Sequence, residues 1–182
     1  MPDNEKQFEQ DIESFLISPA GGWQKASDAG YCAPASSGMA LDIGTLTAFI
    51  KATQPVSWQR LEKQSDGNAE KKFYKAFENA VENDGLISVL RHGFKHRGLR
   101  FRVCYFKPES ALNQAAATQW AANTIECYRQ WYFSADTKKS VDMVLVLNGI
   151  PVFAFELKNQ YTGQTVDDAK RQWMYDRDPR EL

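Results

Sequence analysis

Apolar residues recur at helical spacing at the start of the chain, where Phe8, Ile12, Phe15 and Leu16 form a stripe, so the pattern predicts an amphipathic helix over residues 4–17. Pro19 and Gly21-Gly22 stop it, and Glu9 and Glu13 ride on it as surface charge. Residues 18–40, rich in Gly, Ala, Ser and Pro, read as a long surface connection. A second helix over Ile43 to Ala52 turns Leu46, Phe49 and Ile50 inward and ends before Pro55. A third, from Ala69 to Asn83, carries Phe73, Phe77, Ala80 and Val81 on one stripe, with Gln64 to Asn68 as the polar break before it. After Asp84-Gly85 the period changes to two. Leu99, Phe101, Val103 and Tyr105 alternate with Arg100 and Arg102, which predicts a half-exposed strand with its arginines on one face. Ser110 can cap an alanine-rich helix reaching Ala122, and Thr124 to Phe133 reads as a strand.

The strongest local signal follows. Met143 to Leu147 and Val152 to Leu157 are apolar runs on either side of Asn148-Gly149, the dipeptide most favoured in short hairpin turns. Glu156 and Lys158, two apart on a strand, point the same way. A loop of only Asn148 and Gly149 would set Leu147 opposite Ile150 and put Asp142 on the face of Phe155, away from Glu156. An odd, three-residue loop with Gly149 left-handed in a G1 bulge brings all three charges together, and that is the expectation. Two carboxylates held close must share a proton or a cation, and oxygen-only ligands suit Mg²⁺ completed by water and a phosphate oxygen. The bland alternative is three rim charges capping two core strands. Beyond the hairpin, Thr165 and Asp168 resemble a capping box for a helix from Val166 to Asp176, with Gln172 and Tyr175 on one face.

Composition adds constraints. At 182 residues and 43% hydrophobic, the chain can bury a real core. No apolar run approaches a membrane span and the polar, acidic start has no signal-peptide core, so a cytoplasmic protein with no membrane partner is expected. Cys32, Cys104 and Cys127 lack zinc-like spacing and read as buried or idle thiols. The net charge of −1 does not mark a nucleic-acid binder. Its distribution does: Arg91, Lys95, Arg97, Arg100, Arg102 and Lys107 fall within one stretch without an acid, and are either a phosphate-binding patch or a solvated strand face.

The run SVDMVLVLNGIPVFAFELKNQYTGQT, followed by AKRQWMYDRDP, resembles the N-terminal nuclease region of the restriction (R) subunit of type I restriction-modification enzymes, in the PD-(D/E)xK superfamily. TQPVSWQRL, DGLISVLRHG, YFKPES and the stretch from Asn123 to Gln130 are similar to that family in the same order. The resemblance implies an α/β restriction-endonuclease-like core, a central mixed sheet flanked by helices. It implies one nuclease domain over residues 1–182, helical to 83 and sheet-containing from 84, from a longer subunit and short of its last core strand. Some superfamily members also carry an acid on an early helix.

Carried over residue by residue, the resemblance makes Asp142 and Glu156 metal ligands, the Leu157 carbonyl a third, and Lys158 the catalytic lysine. Gln172 and Tyr175 stand where related nucleases have Gln-x-x-x-Tyr, with one residue fewer between them. The implied activity is Mg²⁺-dependent cleavage of duplex DNA, beside methyltransferase (M) and specificity (S) subunits and with ATP used elsewhere in the full-length subunit. Two other readings stay open: a non-catalytic docking or DNA-binding lobe, and a repair or junction-resolving nuclease on the same fold.

Overall fold

The computed structural model describes residues 3–26, 39–110, 112–133, 139–158 and 165–176. Cys32 lies outside them, while Cys104 and Cys127 are free and buried, as expected. The chain forms two compact units. The first comprises the described residues of Met1–Leu41, Ile125–Val146 and Pro151–Leu182, and the second Asp42–Thr124 and Leu147–Ile150.

In the first unit, helix α1 (Asp3–Leu16) precedes a four-stranded mixed sheet of order β1-β4-β5-β6, with β1 at Gln24–Lys25, β4 at Ile125–Tyr132, β5 at Ser140–Leu147 and β6 at Ile150–Phe155. β1 runs parallel to β4, pairing Gln24 with Glu126 and Lys25 with Cys127. This short strand falls inside the stretch read as a surface connection; two residues carry too little pattern to announce a strand. Two buried clusters sandwich the sheet. Tyr128, Trp131, Phe133, Val144 and Val146 fill one, while Cys127, Met143 and Leu145 fill the other against Ile12 and Leu16 of α1. Fully burying each such aliphatic side chain stabilises by about 1.5–3 kcal/mol, which fixes α1 against the sheet.

The second unit holds α2 (Ile43–Thr53), α3 (Pro55–Lys63), α4 (Ala69–Asp84), α5 (Leu86–His92) and α6 (Gln114–Ala121). It also holds the ribbon of β2 (Phe94–His96) and β3 (Leu99–Phe101). Pro55 begins α3 instead of ending the helical region, because proline suits the first turn of a helix. The predicted strand through Tyr105 stops at Phe101: the backbone of Arg102 is bonded by the Gln54 side chain at both N–H and C=O, 2.8 and 2.7 Å, and that of Tyr105 by Asn123. Asn113, not Ser110, caps α6, its Oδ1 accepting the N–H of Ala116 at 3.0 Å. Phe73, Phe94 and Phe101 stack at the centre, with ring centroids 5.2–5.6 Å apart.

A last helix, α7 (Val166–Arg171), continues into a π turn at Gln172–Asp176. The order α6, β4, β5, β6, α7 is that expected of the restriction-endonuclease-like core, and the chain has that α/β class. Among the described residues no helix is long and apolar enough to cross a membrane.

Candidate active site

Asn148 and Gly149 both have positive φ, 51° and 82°, so β5 and β6 are joined by a two-residue type I′ turn and not by the odd loop with a G1 bulge. The turn is pinned by its own side chain. Buried Asn148 accepts the Thr124 N–H through Oδ1 at 2.7 Å and donates from Nδ2 to the Val103 carbonyl at 2.9 Å and to Asn123 at 3.0 Å. Gly149 is required because a Cβ there would collide with the Asp42 carbonyl, which already receives the Leu46 N–H.

With a two-residue turn, unbroken strands would set Leu147 opposite Ile150 and Asp142 opposite Phe155, apart from Glu156. Regular alternation, however, is broken in this sheet. β6 ends at Phe155, so Glu156, Leu157 and Lys158 leave the ladder and its alternation. The sheet also slips at its middle: Gln130 of β4 has φ 55°, and consecutive side chains Arg129 and Gln130 both reach Glu9 of α1. Two neighbours on one face mark a β-bulge. β5 carries a matching offset, for Val141 joins the cluster of Val144 and Val146 at a spacing of three.

Asp142 Oδ2 accepts the Leu157 N–H at 2.7 Å, and Lys158 Nζ lies 3.3 Å from Glu156 Oε1. The Glu156 side chain is 3% exposed and that of Lys158 16%. Burial pushes the Asp142 carboxyl up from 3.8 to about 6; Glu156 and Glu9 add to the rise, while the Leu157 N–H and Lys158 oppose it. Among the described residues no three His, Cys, Asp or Glu side chains form a ready metal cluster. The oxygen set on offer is two carboxylates with the adjoining Leu157 carbonyl, which suits a hard ion that keeps most of its water.

Glu9 and Glu13 are not surface charges: they are buried, at 5% and 8% exposure. Arg129 joins both, at 3.1 Å to Glu9 and 3.7 Å to Glu13, and Lys25 lies 3.9 Å from Glu13. Sequence reasoning missed this cluster. One signal was present: Glu9 and Glu13 are four apart and so share a helix face, each directly after an apolar residue of the stripe, Phe8 and Ile12, and a long-range arginine is what lets such carboxylates be buried.

Asp168 accepts the Thr165 N–H at 2.7 Å and the Thr165 hydroxyl at 2.9 Å, as the capping-box reading anticipated. Those bonds hold its carboxyl below the ordinary value, with smaller help from Arg171 and Lys158. Gln172 is half-buried, but Tyr175 is 74% exposed. The two thus differ in exposure, and they lie in a π turn, which sets residues three apart farther round the axis than an α-helix does.

The cations of the basic stretch are dispersed over the second unit. Arg91 closes α5, Lys95 and Arg100 face each other across the ribbon, Arg97 donates to the Gln64 carbonyl at 2.7 Å, and Lys107 sits 5.7 Å over the Trp120 ring. Arg102 lies beyond β3 and is half-buried.

No curated protein and no solved structure matches the chain. The family model described as the type I restriction enzyme R protein N terminus matches residues 4–181. The chain, an α/β protein with Asp142 on β5 and Glu156 and Lys158 just past the end of β6, therefore belongs to the family of type I restriction enzyme R protein N termini.

Proposed function

We propose that this chain is the DNA endonuclease module of a type I restriction enzyme R subunit, hydrolysing phosphodiester bonds of duplex DNA with Mg²⁺ held by Asp142, Glu156 and the Leu157 carbonyl. The observation that carries this reading is the union of a half-buried, raised-pKa Asp142 with Glu156 and Lys158 at the end of one hairpin. Neighbouring carboxylates in a partly dry setting repel, and a divalent cation relieves the repulsion while keeping both ionised. Bound there, the ion would supply Lewis-acid stabilisation of the phosphate and a more acidic water.

The chain's own residues do the rest. The Leu157 N–H aims one Asp142 oxygen and leaves the other for a cation. Lys158, close to Glu156, orients the attacking water and offsets charge on the phosphate. Arg91, Lys95, Arg97, Arg100, Arg102 and Lys107 hold the DNA backbone without reading sequence. Target choice belongs to the S subunit and its M partner, and ATP to the remainder of the full-length R subunit. Calorimetric titration of Mg²⁺ into the wild-type chain and into Asp142→Asn tests the site: heat of binding in the first and none in the second is expected, whereas equal binding by both would overturn it.

A further inference from the structure

We propose that the second unit carries a nucleotide-binding cavity, built from other residues than the carboxylate site, that takes one nucleoside monophosphate with its phosphate against Lys95 and Arg100. The cavity lies between the last turns of α4 and the β2–β3 ribbon and holds about 450 Å³. That is the size of a small-molecule site and far more than a bare phosphate fills.

The ribbon side calls for an anion. Lys95 and Arg100 are directly paired across the two strands, both are exposed, both line the cavity, and neither makes an ion pair among the described residues. Like charges directly opposite on a ribbon repel and cost stability, and an anion bound between them removes that cost. A protein needing only a soluble ribbon would alternate the signs.

The α4 side calls for a base. Ala80 and Phe94 give the cavity an apolar surface, and Asn79 and Asn83 bring amides to it. Asn83 Nδ2 donates to the Asn79 carbonyl at 2.7 Å, which fixes the amide plane with Oδ1 as an acceptor. Asn side chains match the hydrogen-bonding edge of adenine. Asp84, the last residue of α4, also lines the cavity and repels a phosphate from that wall, so charge alone orients the ligand with its phosphate on the ribbon.

The same nucleotide chemistry is offered by a free mononucleotide and by the end of a DNA strand, and the test has an arm for each. Binding of dAMP, inorganic phosphate, a 5′-phosphorylated single-stranded tetranucleotide and a duplex is measured by calorimetry on the chain. dAMP should bind saturably and at least tenfold more tightly than phosphate. Lys95→Gln/Arg100→Gln, which changes only exposed side chains, should lower dAMP affinity at least tenfold. Asn79→Leu should lower it severalfold while duplex binding stays put. Tighter binding of the tetranucleotide than of dAMP assigns the site to a strand end, and equal binding to a free nucleotide. Absence of saturable dAMP binding, phosphate binding as well as dAMP, or a double variant that binds dAMP like wild type would each overturn the proposal.

Discussion

The Asp142 carboxylate accepts the backbone N–H of Leu157, fifteen residues further on, at 2.7 Å. This bond lies between Glu156 and Lys158 in sequence, so it ties the carboxylate of β5 to the segment that carries the other two charges. Unbroken strand alternation would keep them apart, but Glu156 to Lys158 lie past the end of β6 and β5 carries an offset between Val141 and Val144. Bulges beside a cluster of charges are a common way to re-aim side chains.

The raised pKa of Asp142 makes the metal-free chain pH-sensitive in a defined direction. Its folded value of about 6 exceeds the ordinary 3.8, so the folded state holds its proton more tightly than the unfolded one. The associated stability is present below pH 3.8 and lost as pH rises through about 6. In EDTA, wild type should lose roughly 1 kcal/mol relative to Asp142→Asn between pH 5 and pH 8. Urea unfolding of both proteins at the two pH values checks this, and parallel behaviour would count against the burial argument.

Arg129→Met should destabilise the first unit by about 3 kcal/mol, because it leaves Glu9 buried without its cation and Glu13 with only Lys25 at 3.9 Å. Glu9→Gln in the same chain should recover part of that loss. The pair of thermal unfolding curves measures it; an Arg129→Met protein as stable as wild type would mean that the two glutamates gain solvent without cost.

Asn148→Ala should cost about 3 kcal/mol, since it strands the Thr124 N–H and the Val103 carbonyl inside the protein and shortens a residue with positive φ. Asn148→Asp should lose most of that too, because a carboxylate cannot donate to Val103. Chemical denaturation of the two variants gives the values.

The helices α1, α2 and α4 and the strands β4, β5 and β6 were legible because each carries a stripe or run long enough to announce its period. Gly149 at positive φ was legible from the Asn-Gly dipeptide, but the same dipeptide argued for a two-residue turn, and the parity rule was asked to override it. That rule holds only along unbroken strands. The bulge at Gln130 has no glycine or proline to announce it, so nothing in the local sequence signals it. α3 and α5 were hidden by Pro55 and Gly85, read as stops where they serve as helix starts. The buried glutamates of α1 depend on Arg129, 120 residues away, and no local pattern contains that partner.

The exposed cations of the second unit should act through phosphates alone. Arg91→Gln with Lys107→Gln should weaken binding to all duplex sequences about equally and make the salt dependence shallower by roughly two units of slope. Affinity measured across a salt series reads the change, and an unaltered slope would remove these two residues from the DNA path.

The central claim is that Asp142, Glu156 and Lys158 cut DNA. Cleavage of supercoiled plasmid carrying the recognition site, by the full-length R subunit assembled with the M and S subunits proposed above in Mg²⁺ and ATP, tests it most directly when wild type is set beside Glu156→Gln. Metal-ligand loss should reduce cleavage at least a hundredfold with ATP hydrolysis and subunit assembly unchanged. A Glu156→Gln enzyme that cuts at the wild-type rate would contradict the account and leave these charges as caps on two core strands.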